Sequence, residues 1–156
     1  MKKLVAVAFA LSVGAGAGLA TAEPDYNLIG KQAFSLWECA ALSGVARDDS
    51  PEALNLFNSG YEFMREFVVA WKEGKLTNEN TSEVPVGISW RLTPGPSVDF
   101  SLGYMWSEFA RYASDDTWDD SIEATFDEKK QLQILKAEQQ FRDRNCELLE
   151  EVISKR

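Results

Sequence analysis

The segment SPEALNLFNSGYEFMREFVVAWKEG, residues 50–74, decides the fold. Ser50 offers a hydroxyl for a helix N-cap. Pro51 has its φ preset for the first helical position, and Glu52 sets a negative charge against the positive end of the helix dipole. Leu54, Phe57, Tyr61, Met64, Val68 and Trp71 then recur at intervals of 3, 4, 3, 4 and 3 residues. At about 100° per residue this spacing keeps all six on one side, so the segment is an amphipathic helix whose apolar stripe needs partners. Gly74 ends it, because a left-handed residue after the last turn costs glycine least.

The partners lie on both sides. From Tyr26 to about Ala46, the residues Leu28, Ile29, Phe34, Leu36, Trp37, Cys39, Ala40, Leu42 and Val45 make a helix with a wide apolar face. Downstream, Thr93-Pro94-Gly95-Pro96 is the strongest break in the chain. Pro96 suits the first position of a helix that runs to about Ala113 and buries Val98, Leu102, Met105, Trp106, Phe109 and Tyr112. From about Glu128 to Ser154 a last helix is expected, with Leu132, Leu135, Phe141, Cys146, Leu149, Val152 and Ile153 on its buried side. Val84 to Leu92 is a short apolar run; Pro85 favours a helix start over a central strand, so a helix of about two turns is expected there. A further short helix is expected between Ser114 and Glu128, where Trp118, Ile122 and Phe126 are spaced by four. The fold class is therefore all-α: a disulfide-closed bundle of four main helices plus one or two short ones, forming a single domain over residues 23–156.

The closing bond is expected from the compartment. Met1-Lys2-Lys3 gives a basic start, Leu4 to Ala20 is apolar and rich in Ala and Gly, and Ala20-Thr21-Ala22 supplies a small-x-small cleavage site. That is the layout of a signal peptide over residues 1–22, cleaved after Ala22, and it points to a bacterial periplasm. In an oxidising compartment Cys39 and Cys146, the two cysteines of the chain, are expected to pair.

Charge and composition narrow the functional classes. Without Lys2 and Lys3, 14 basic residues face 25 acidic ones, a net charge of −11. Such a surface repels phosphates and anionic lipid heads, so neither nucleic acid nor stable membrane insertion after cleavage is expected. A basic protein of the cell envelope is the expected partner. The chain has no histidine, which removes the commonest general base, the commonest zinc ligand and any Ser-His or Cys-His nucleophile pair. No cofactor is expected.

The sharpest local feature is the acidic segment from Asp115 to Glu128. If it were helical, Asp115, Asp119 and Glu123 would stack at i, i+4, as would Asp116 and Asp120. Together with Trp90 and Trp118, which lie beside polar turns, Asp115, Asp116, Asp119, Asp120 and Glu123 form the expected partner-binding set. The reading is an exported, non-enzymatic interaction or inhibitor-like protein with no catalytic and no metal residues. Two alternatives use the same acids: a carboxylate-dependent cell-wall hydrolase, and a divalent-metal-binding envelope module. Neither an EF-hand pattern nor a separated carboxylate pair can be read from the spacing.

The order Trp37-Glu38-Cys39-Ala40, Gly60-Tyr61, Ser82-Glu83-Val84-Pro85-Val86-Gly87, then Gly95-Pro96-Ser97-Val98-Asp99-Phe100 with Leu102-Gly103, resembles small exported proteins of bacteria and tailed phages that have no assigned activity. The resemblance covers roughly residues 37–106. It implies a helical exported protein and supplies no catalytic residue.

Overall fold

The structure, a computed structural model, describes residues 23–48 and 50–154. The expected signal peptide, residues 1–22, and its cleavage site lie outside the described residues. Six helices follow in order: α1 Tyr26–Arg47, α2 Pro51–Lys72, α3 Val86–Ser89, α4 Val98–Thr117, α5 Phe126–Asp143 and α6 Cys146–Ser154. No strand occurs among the described residues. No helix among them is long and apolar enough to cross a membrane.

Capping explains most of the boundaries. Asp25 accepts from Leu28 N–H at 3.0 Å and Ser50 accepts from Ala53 N–H at 3.1 Å, each satisfying a first-turn donor that has no partner within its helix. Thr125 and Glu128 close a reciprocal capping box at the start of α5. Gly74 adopts φ 69°, and Lys75 N–H closes back onto Ala70 O at 2.9 Å. Pro96 does not take the first helical position: α4 begins at Val98 and is capped by Ser97, whose side chain accepts from Phe100 N–H at 3.0 Å. The Ser97 hydroxyl oxygen accepts from a free N–H, and neither Gly95 nor Pro96 carries a side-chain acceptor.

The central helix is α1, which touches all five others. Its wide apolar face is used on nearly every side. Trp37 is fully buried at the centre of an aromatic cluster, stacked on Phe57 with ring centroids 6.0 Å apart and edge-on to Trp106 and Phe109 at 5.6 and 5.7 Å. Its indole N–H donates to Phe57 O at 3.2 Å, so the one polar atom of the side chain is satisfied. Gly60 of α2 lies against this ring: a Cβ there would sit 2.5 Å from Trp37 Cδ1 and 3.0 Å from Leu36 Cβ.

Several expected faces are rotated. In α2, Leu54 is half exposed while Leu56, Gly60 and Phe67 are buried, because α2 packs against α1, α4 and α6 and so buries more than one stripe. In α4, Tyr112 is half exposed. In α5, Leu132 and Leu135 point outward, Leu135 being 60 % exposed, and Gln133, Ala137 and Phe141 form the buried ridge. Gln133 is tolerated inside because its amide donates to Ser114 O at 3.1 Å. In α6, Val152 is exposed.

The expected helix over 128–154 is two helices. Asn145 has φ 57°, a left-handed conformation that Asn adopts more readily than most residues, and it turns the chain between α5 and α6. That turn brings Cys146 to Cys39, whose Cα atoms are 5.5 Å apart in the disulfide closing the bundle. The short helix expected between Ser114 and Glu128 does not form as a separate element: α4 ends at Thr117 and α5 begins at Phe126. Asp119 instead accepts from Ser121 N–H and from Ser121 Oγ–H at 2.9 and 2.6 Å, a local turn that competes with helix. The two short helices are α3 and α6; after α3, the chain keeps turning to Leu92, whose N–H bonds to Ile88 O at 3.0 Å.

Candidate functional site

A cleft of about 430 Å³ opens where α1, α3, α4 and the end of α5 meet. Its floor is apolar: Phe34, Ala41 and Leu42 from α1, Phe109 and Ala113 from α4. Its rim is aromatic. Trp90, just after α3, is 80 % exposed, and Tyr112 faces it from α4.

The placement of Arg91 depends on a missing side chain. At Gly87 a Cβ would lie 2.7 Å from Phe34 Cε2 and 2.9 Å from Arg91 Nη1. Glycine lets α3 sit down on Phe34, and its carbonyl accepts from Arg91 Nη1 at 2.7 Å. The guanidinium then lies over the Phe109 ring at 4.7 Å and the Tyr112 ring at 5.6 Å, a cation–π arrangement. Its Nε is buried and has no hydrogen-bond partner.

Two further arginines border the cleft, each matched by an acid. Arg111 forks between Glu108 at 2.9 Å and Asp115 at 2.8 Å, and Arg144 pairs with Glu38. The hydrogen bond from Arg111 holds the Glu108 carboxyl below the usual carboxylate range. Glu108, Arg111, Tyr112 and Asp115 share one face of α4 because they fall at i, i+3, i+4 and i+7. The lining thus carries three arginines and two glutamates in a chain of net charge −9.

The expected partner-binding residues divide between this face and a turn. Asp115 is joined to the cleft through Arg111. Asp116 accepts from Gln140 Nε2 at 2.6 Å, and Gln140 itself lines the cleft. The helical stack of Asp115, Asp119 and Glu123, and that of Asp116 with Asp120, does not exist, because α4 ends at Thr117. Asp119 is taken up by Ser121, which also holds its carboxyl below the usual range. Asp120 accepts from the Trp118 indole at 2.7 Å, and the Trp118 ring packs on Phe126 at 5.8 Å. Trp118 is thus engaged within the fold, whereas Trp90 is displayed. Glu123 is exposed.

Among the described residues no group of three or more His, Cys, Asp and Glu is placed to hold a metal ion. A separate groove of about 490 Å³, acidic where the cleft is not, lies between α2 and α6 and includes Glu52, Glu147 and Glu150. Burial there pushes the Glu150 carboxyl up, with Glu52 and Glu147 adding to the rise and Arg47, at 3.4 Å, opposing it.

Sequence reasoning missed Arg91, Arg111, Arg144, Glu38 and Phe34 as site residues. The ladder Glu108-Arg111-Asp115 was present as an i, i+3, i+7 pattern. Arg91 carried no signal beyond its place after Trp90, since its role depends on a glycine four residues back and rings on another helix. No family model matches this chain, and no curated protein or solved structure matches it.

Proposed function

We propose that this chain is an exported, non-enzymatic interaction protein that binds a basic protein of the cell envelope. The observation that carries this reading is the displayed Trp90 indole at the mouth of the cleft, with Asp115 and Asp116 continuing the same surface along α4. Exposed Trp, Tyr and Arg beside a shaped depression are the residue types that dominate binding energy at protein interfaces. The net negative charge of the chain speeds encounter with a basic partner.

Catalysis is the weaker reading for stated reasons. A general acid near neutral pH needs a raised carboxyl, and in the cleft Glu108 is pushed down. The one carboxyl that is raised among the described residues, Glu150, lies in a groove with no aromatic ring on which a sugar would stack. Asp119 and Asp120 accept local hydrogen bonds from Ser121 and Trp118, and among the described residues no group of three or more His, Cys, Asp and Glu is placed to hold a metal ion.

The test is capture of a partner from periplasmic extract, followed by association kinetics against salt. Trp90→Ala is expected to weaken the complex at least tenfold, chiefly through faster dissociation. Asp115→Asn with Asp116→Asn is expected to slow association and flatten its salt dependence. A complex indifferent to all three changes would overturn the proposal, as would a cell-wall-degrading activity lost on changing Glu150.

A further inference from the structure

Arg91 differs from the other two arginines of the cleft. Arg111 and Arg144 each have a carboxylate partner, whereas Arg91 has none within ion-pairing distance among the described residues. Among the described residues its guanidinium makes one hydrogen bond, from Nη1 to the Gly87 carbonyl, and its Nε is buried without an acceptor. A guanidinium with donors unused, set against the Phe109 and Tyr112 rings in a cleft, is a charge awaiting an anion.

We infer that the cleft binds a small monocarboxylate with an apolar, aromatic body, its carboxylate received by Arg91. Arg91 selects the anion: Arg111 is taken up by Glu108 and Asp115 and Arg144 by Glu38, which leaves Arg91 as the guanidinium of the lining without an ion pair among the described residues. The floor selects the body. Phe34 and Phe109 meet edge-on with centroids 5.4 Å apart, and a flat ring continues that packing under Trp90. The volume, about 430 Å³, falls in the range of small-molecule sites, roughly 300–1,000 Å³. A cationic analogue of the same body would meet Arg91 head-on and is excluded.

This inference does not rest on the existence of a protein partner, and the two separate by variant: Asp115 and Asp116 do not line the cleft. The experiment uses the mature chain with 2-naphthoate as probe and 2-naphthamide and 2-naphthylmethylamine as controls, read by calorimetry and by the Trp90 indole and Arg91 Nε–H resonances. Naphthoate is expected to bind and shift both resonances, the neutral amide to bind at least tenfold more weakly, and the amine not at all. Arg91→Lys, which keeps the charge and loses the planar fork, is expected to cost at least fivefold. Arg91→Gln should remove the preference for acid over amide. The ligand-side comparison needs no altered protein, so a variant that fails to fold leaves the inference testable. Equal affinity for acid and amide would overturn it, showing an apolar depression only. So would naphthoate binding that Arg91→Lys and Arg91→Gln leave unchanged in folded protein, no naphthoate binding at millimolar concentration, or binding confined to peptides that end in a free aromatic residue.

Discussion

Gly60→Ala tests the packing at the centre of the bundle. In the middle of a helix, alanine is favoured over glycine by about 0.5–1 kcal/mol, so on propensity alone the change stabilises. The structure predicts the opposite sign. The added methyl would come 2.5 Å from Trp37 Cδ1 and 3.0 Å from Leu36 Cβ, well inside ordinary contact. Trp37 has nowhere to go: Phe57, Trp106 and Phe109 enclose its ring and the Phe57 carbonyl holds its indole N–H. Relief requires α1 and α2 to part, and overpacking of this kind costs about 1–3 kcal/mol. Set against the propensity gain, the net expectation is a loss of up to about 2.5 kcal/mol, which at about 2–4 °C per kcal/mol for a chain of this size lowers the melting temperature by up to about 10 °C. Gly44 and Gly103 supply the controls, since a Cβ at either meets nothing within 4 Å. Gly103→Ala and Gly44→Ala should each gain about 0.5–1 kcal/mol. Urea denaturation with linear extrapolation reads all three. If Gly60→Ala gains stability as the controls do, the close approach of α2 to Trp37 is refuted.

Replacing Cys39 and Cys146 together by alanine should cost about 4–5 kcal/mol, because the bond closes a loop spanning 107 residues; a loss under about 1 kcal/mol would contradict the loop-entropy account. Thr125→Ala should cost about 1 kcal/mol through the lost N-cap. Glu128, held below the usual carboxylate range by the Thr125 backbone N–H and then by its hydroxyl, should titrate part-way back toward that range in this variant. Because the folded values of Glu128 and Asp119 are lowered, their support is present above the ordinary carboxylate pKa and is lost as pH falls through the folded values, so acid titration should show both carboxyls protonating late. Intact mass of protein taken from the periplasm should begin at Glu23; a species retaining Met1 to Ala22 would contradict export with cleavage.

What could be read from the sequence was local. Ser50-Pro51-Glu52 and Gly74 mark the ends of α2 by chemistry that lies within one turn, and the structure places both as read. The all-α class and the Cys39–Cys146 pairing were also legible, the second because two cysteines leave one possible partner. Rotation of a helix about its axis was not legible. Whether Leu54 or Leu56 turns inward depends on α4 and α6, which arrive from elsewhere in the chain. The same holds for Leu132 and Leu135, apolar residues on a helix that needs only the narrow ridge of Gln133, Ala137 and Phe141. Asn145 was legible in principle as a left-handed former, but nothing nearby signals that the helix must turn there. The acidic segment misled because its i, i+4 spacing assumes a helix, and Asp119 with Ser121 makes a competing turn. Of the site, Trp90 could be found from its polar neighbours. Arg91 could not, since it gains its setting from Gly87, Phe109 and Tyr112 only when α3 and α4 meet.

The bond between α1 and the start of α6 makes most of the polypeptide a covalent ring. A protease that cuts anywhere between Cys39 and Cys146 opens the ring without releasing a fragment. Of the longer non-helical stretches inside it, 73–85, 90–97 and 118–125, the first and the last contribute no residue to the cleft, and a nick in either leaves both halves tethered through the bond. Such a molecule would run as one band without reductant and as two with it, and would keep its cleft. Damage at these stretches becomes a change of connectivity rather than a loss of the protein.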